Sequence, residues 1–211
     1  MSKLLALLLS FIGARAVLLA TGVLFDATVT SVTACALYIL LYVIFSPKNT
    51  ERKSLAFGRA FLMLLFFISV SITASALLGL AFESAPVNLS PIGAALSVVA
   101  VPIAEELFFR ATLFESLNSL IGSGRAILLS SLLFSLSHSS PPAIILSFIL
   151  GVLLTFAYGR TGSVRLPILC HAVNNLLAVL CFAPSTSIAV VSFFVGVGIF
   201  VLIRKDFSQN G

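Results

Sequence analysis

Glu105-Glu106 with Arg110, Phe134 with His138, and His171 with Asn175 stand inside stretches that are otherwise almost pure hydrocarbon. An ionisable side chain at bilayer depth costs roughly 2.5–3.5 kcal/mol on insertion scales, so several close together need a reason. Between them they supply carboxylates, two imidazoles, a guanidinium and an amide, the inventory of a hydrolytic site. Glu106 and Arg110 are spaced i,i+4 with the acid first, the favourable order for a pair on one helix face. Glu105 is rotated about 100° from Glu106 and has no sequence-local cation, so its carboxylate is free to meet another helix. His171 and Asn175, again i,i+4, present two neutral donors on one face, an arrangement able to hold a developing oxyanion. Asn174 competes with Asn175 for that role. The plainer reading of both residues is interhelical hydrogen bonding, which averages well under about 2 kcal/mol per bond in membranes. Pro102 is expected to leave the Val98 carbonyl without its helical donor and to kink the helix beside the acids.

The rest of the chain must position these groups in a membrane. Of 211 residues, 60% are hydrophobic and 9% charged, with 19 Phe and no Trp. A soluble domain carries about 25% charged residues, so the composition belongs to a polytopic membrane protein. No internal repeat or linker is visible, and the length suggests one all-α domain over residues 1–211. The net charge of +5 is scattered over loops and forms no nucleic-acid stripe. Leu4–Leu24 could pass for a signal peptide, but it lacks a small-residue cleavage site and another apolar run follows at once, so a retained helix is expected. Cys35, Cys170 and Cys181 lie in apolar runs without C-x-x-C spacing and read as structural thiols.

Eight apolar runs are separated by charge, Pro or Gly: Leu4–Leu24, Ala27–Phe45, Ala60–Phe82, Pro91–Leu120, Ala126–His138, Ala143–Tyr158, Leu166–Phe182 and Ser185–Ile203. The motifs occupy residues 91–182, the expected catalytic core. With the N-terminus in the cytoplasm, the inner ends and loops hold Lys3, Lys48, Arg52, Lys53, Arg59, Arg125, Arg160, Arg165, Arg204 and Lys205. The outer loops hold only Asp26 and Glu83, so both termini are expected to be cytoplasmic. Arg15 escapes the pattern, lying mid-segment with no acid at helical spacing. The fifth and sixth runs are too short to span about 30 Å, which puts the Ser137–Pro142 junction below the outer surface, lining a wet cavity. Depth arithmetic places Glu105 about 15 Å before Glu115 and His138 about 20 Å after Arg125, but His171 only about 9 Å after Arg165. Either the seventh helix starts drawn inward or the site is spread along the membrane normal.

Glu105-Glu106-x-x-x-Arg110, Phe134-x-x-x-His138 and His171-x-x-x-Asn175 resemble, in order, the three motifs of the CAAX prenyl protease and bacteriocin-processing (CPBP, or Abi) family. The resemblance spans Glu105 to Asn175, about a third of the chain. It implies an intramembrane endopeptidase in which Glu105 and His138 activate a water, His171 and Asn175 stabilise the oxyanion, and Glu106, Arg110 and Phe134 orient the site. The family is often labelled metalloprotease, and Glu105, His138 and His171 would make a His₂Glu zinc set. No H-E-x-x-H pair exists here, and a metal-free, glutamate-dependent scheme is the preferred expectation, with no cofactor. The substrate class implied is a membrane-tethered, lipidated or leader-bearing peptide or protein in the lipid bilayer of a bacterial plasma membrane, with no nucleic-acid partner and the oligomeric state left open. The alternative is a non-catalytic membrane protein, such as a bacteriocin-immunity or scaffolding factor. A transporter is disfavoured because no inverted repeat appears.

Overall fold

A computed structural model of the chain describes residues 2–47, 56–81, 89–180 and 184–209, with the side chains of 2, 80 and 205–209 left aside. Lys48, Arg52, Lys53, Glu83 and Cys181, used above, lie outside the described residues. Among those described, every element is helical. In chain order they are α1 (Ser2–Leu24), α2 (Ala27–Phe45), α3 (Phe57–Ala81) and α4 (Pro91–Ile121), then α5 (Ser123–Ser135), α6 (Pro141–Thr161), α7 (Arg165–Val179) and α8 (Thr186–Gln209). Six of them, all but α5 and α7, are long and apolar enough to cross a membrane. The protein is an all-α integral membrane bundle.

Local chemistry sets the boundaries. Asp26 caps α2, its Oδ1 accepting from the Thr28 and Val29 amides at 2.7 and 3.0 Å, which satisfies two of the orphan donors of the first turn. Ser90 caps α4 in the same way, with Pro91 at the first helical position. The sixth run proves longer than its apolar core suggests. Pro141-Pro142 starts α6 and the helix continues through Arg160-Thr161 to a left-handed Gly162, giving 21 residues. A proline pair reads as a breaker, yet at a helix start its missing N–H is an orphan in any case. The fifth run does stay short, at 13 residues, and ends at Ser135, so His138 lies in the turn and not in the helix.

Helix α4 is the axis of the fold. It packs against α1, α2, α5 and α7, and its buried Ala104, Phe108, Phe109, Leu113 and Phe114 share one core with Phe11, Tyr38 and Phe134. Its backbone leaves the α register twice, at Leu96–Ala100 and at Phe109–Phe114, where it is π-helical. These wide turns bracket the acidic pair, and π turns recur at functional sites. Large side chains such as Leu5, Leu9, Ile12, Phe193 and Phe194 point outward, as expected where lipid replaces water as the solvent.

Helices α5 and α6 approach closely at Gly151. A Cβ there would sit 3.1 Å from the Phe134 ring and 3.2 Å from the Ser131 side chain. Thr155 covers the same contact, giving its hydroxyl to the Gly151 carbonyl at 2.7 Å. Small residues let backbones approach where lipid offers no hydrophobic drive, and here they seat Phe134 against the site.

Candidate active site

One buried chain of charges carries the site. Arg110 Nε lies 2.9 Å from Glu106 Oε2, with both side chains essentially inaccessible. The other oxygen of Glu106 accepts from His171 Nδ1 at 2.8 Å. On its far edge His171 presents Nε2 to Glu105 Oε2 at 3.8 Å. The order is therefore Arg110–Glu106–His171–Glu105, across α4 and α7. The i,i+4 pair arises as its spacing requires. The pairing of Glu106 with His171 was not visible in the sequence, which placed Glu106 only with Arg110. An imidazole standing between two consecutive glutamates can meet both, because their side chains diverge by about 100° and then converge on opposite ring edges.

Glu106 has a definite task in this arrangement. Its carboxylate fixes the His171 proton on Nδ1, leaving Nε2 to face Glu105, the way a carboxylate orients a working histidine elsewhere. Beyond Glu106, the Arg110 guanidinium rests its face on an aromatic ring, with Cζ 4.4 Å from the Phe134 ring centroid, a cation–π contact that adds to the ion pair. Phe134 also meets both imidazoles edge-on, at 5.3 Å for His138 and 5.6 Å for His171. A single ring thus packs the cation and both histidines, which explains an apolar residue within a polar motif.

His138 sits in the turn after α5, its Nδ1 3.3 Å from the Phe134 carbonyl and 3.4 Å from Ser137 Oγ. With Nδ1 donating to that carbonyl, Nε2 is the basic edge. His138 makes no direct hydrogen bond to Glu105 among the described contacts; the two are joined through the Phe134–His171 layer. His171 meets both glutamates, so these three side chains form one compact cluster.

Asn175 donates Nδ2 to the Ser97 carbonyl at 2.8 Å. This corrects the expected effect of Pro102. In the π turn the Val101 amide bonds Leu96 O, so the next carbonyl, Ser97, would look to residue 102, a proline without an N–H. The orphan is Ser97, not Val98, and Asn175 fills it. One amide hydrogen of Asn175 is committed to this bond and the second is available. Asn174 turns to Ser71, whose hydroxyl donates to Oδ1 at 2.7 Å, which takes Asn174 toward α3.

A zinc centre would need Glu105, His138 and His171 to converge. Among the described residues no three His, Cys, Asp or Glu side chains are grouped closely enough to hold a metal ion. His171 Nε2 and Glu105 approach to 3.8 Å, while among the described contacts His138 bonds the Phe134 carbonyl and Ser137. As arranged, the donors do not form that set, and no step is routed through a metal here. Cys35 and Cys170 are free thiols, Cys170 buried.

The family model described as "Type II CAAX prenyl endopeptidase Rce1-like" matches residues 86–177, which include all three motifs. The protein of Bacillus subtilis (strain 168) named "Putative membrane peptidase YdiL" is 26% identical over 170 residues, covering 72% of this chain and 70% of that protein. No solved structure matches. With its three motifs in order on a helical membrane scaffold, the chain is similar over residues 86–177 to the CAAX prenyl endopeptidases and, more widely, to a membrane peptidase of Bacillus subtilis.

Proposed function

We propose that the protein is an endopeptidase hydrolysing a peptide bond of a membrane-tethered peptide, with Glu105 as general base. The observation that carries this reading is the buried Arg110–Glu106–His171–Glu105 chain. It compensates every charge except that of Glu105, which is left facing an oriented imidazole across a gap too long for a hydrogen bond. A water seated between Glu105 and the basic edge of His138 gives its proton to Glu105 as its oxygen adds to the scissile carbonyl carbon. The carbonyl π pair moves onto oxygen, where the free amide hydrogen of Asn175 stabilises it. Collapse re-forms the C=O and expels the amine, which leaves with the proton returned by Glu105. The scheme uses no metal.

The lipidated substrate class has its own support. An apolar crevice of about 520 Å³ lies between α3, α6 and α8, walled by Phe67, Leu154 and Phe200 and by Cys170, the residue before His171. It is of the size and polarity to take a hydrocarbon chain beside the reacting bond. We place the protein in a bacterial plasma membrane with both termini cytoplasmic. Reporter fusions at Asn49 and Ser84 are expected to fall on opposite sides, Asn49 inside; a shared side would overturn this topology.

The activity itself is tested with the purified protein in proteoliposomes and an internally quenched library of acylated and farnesylated peptides. Cleavage is expected, and is expected to survive prolonged treatment with a strong chelator. Elemental analysis finding about one zinc per chain, lost together with activity and restored by zinc, would place Glu105, His138 and His171 in a ligand sphere instead.

A further inference from the structure

Arg15 is the one mid-helix cation the family motifs do not absorb, and the packing of α1 brings it to the site. Thr28 on α2 bonds Ser90 at the start of α4 (3.0 Å), and Tyr38 further along α2 stacks on Phe108 further along α4 (5.2 Å). These two helices therefore run parallel. Helix α1 returns into α2 through the two residues Phe25-Asp26 and is antiparallel to both. Phe11 of α1 meets Phe108 and Phe109 at 5.6 and 5.7 Å. One turn further along α1 is Arg15, which the antiparallel register sets one turn earlier on α4, at Ala104-Glu105. Its guanidinium lies within electrostatic reach of Glu105, His138 and Tyr38. Among the described residues no carboxylate comes within ion-pair distance of it.

A second observation is independent of Arg15. Tyr38 is 1% exposed, and its hydroxyl has no hydrogen bond of standard geometry. That hydroxyl sits beside Arg15 and Ser137, and Ser137 has already given its own proton to the Phe134 carbonyl at 2.6 Å. A buried phenol normally finds a partner, and an orphaned one in a native site calls for an explanation. Two donor-bearing groups, one of them charged, thus converge next to the proposed base, and neither meets a carboxylate among the described residues. The donors on α7 are meanwhile largely spent: His171 Nδ1 on Glu106 and one amide hydrogen of Asn175 on Ser97.

We propose that Arg15 and Tyr38 complete the oxyanion hole from the α1–α2 side, donating to the carbonyl oxygen as it gains charge during attack. The inference rests on the endopeptidase reading with Glu105 as base. It assigns the amino-terminal helices a part in the chemistry, where the three motifs lie wholly between Glu105 and Asn175. Removing one oxyanion donor typically lowers kcat about 10²–10³-fold, and a donor used only in the transition state leaves KM alone.

The test is the full chain in proteoliposomes, assayed on the best-cleaved farnesylated or acylated peptide of the quenched library, with thermal unfolding in parallel. Tyr38→Phe and Arg15→Gln are expected to lose kcat by about 10²-fold or more, with KM within about twofold. Their midpoints should hold, because Tyr38→Phe keeps the ring stacked on Phe108 and Arg15→Gln breaks no ion pair among the described residues. Arg15→Lys should recover part of the loss, since the charge returns without the planar fork. Wild-type kcat in Tyr38→Phe and Arg15→Gln would overturn the inference, as would a raised KM at unchanged kcat, or unfolding losses that track the activity losses. Glu105→Gln is run alongside. If it is inactive while the other two are normal, the base assignment stands and this inference falls; if it retains turnover, the base assignment itself falls.

Discussion

Glu105→Gln is expected to lower turnover by about 10²–10⁴-fold, the range general-base catalysis supplies, while the protein stays as stable as the parent. Activity falls because the amide can neither take the proton from water nor return it to the leaving amine. Stability holds because Glu105 makes no tight pair: His171 Nε2 stands 3.8 Å away, beyond hydrogen-bond length. A buried carboxylate in that position is a burden to the fold, and an isosteric neutral group relieves it. Hydrolysis rates and thermal unfolding on the same preparation check both halves. An active Glu105→Gln protein would remove the base, and an unstable one would show that the residue serves the fold.

Glu106→Gln should behave in the opposite way, with a large loss of stability. Its carboxylate has two partners, Arg110 at 2.9 Å and His171 at 2.8 Å, and both Glu106 and Arg110 are fully buried. Replacing it strands the guanidinium with the Phe134 and Phe109 rings to face and no anion at ion-pair distance among the described residues. Removing one member of a buried pair costs about 3–5 kcal/mol, which for a chain of this size corresponds to roughly 10 °C in midpoint. Activity should fall too, since His171 loses the acceptor that fixes its tautomer. Glu106→Gln combined with Arg110→Met is expected to regain much of the stability, because no charge is then left unpaired, and none of the activity. If the single mutant melts like the parent, the buried chain does not hold the site together.

Most of the helical scaffold could be read from the sequence because hydrocarbon length and punctuation are coarse signals. Ala27–Phe45 was placed to the residue, since Asp26 caps one end and Ser46-Pro47 closes the other. The sixth run was read too short because Pro141-Pro142 and the polar Tyr158–Thr161 turn look like breaks, although proline at a start and a snorkelling arginine at an end both extend a helix. The two π turns left no pattern that could be read, as they depend on tertiary packing around Pro102 and Phe109. At the site, the residue types and their spacing identified every member of the buried chain. Spacing could pair Glu106 with Arg110 but not with His171, 65 residues away, because contacts between helices carry no local period. Tyr38 was missed altogether: a tyrosine in an apolar run signals nothing until its hydroxyl is found without a partner.

The π turn at Phe109–Phe114 has a consequence for how this helix tolerates changes in length. An i→i+5 turn holds one residue more than the α register needs, so the helix carries a built-in insertion just after Arg110. Deleting Ala111 would let the backbone close to ordinary α geometry while the faces above and below it keep their orientation. A one-residue deletion at Leu107 would do the reverse, swinging Arg110 about 100° away from Glu106 and splitting the buried chain at its first link. Sequences differing from this one by a single residue should therefore show their gap between Arg110 and Phe114, and not between Glu106 and Arg110.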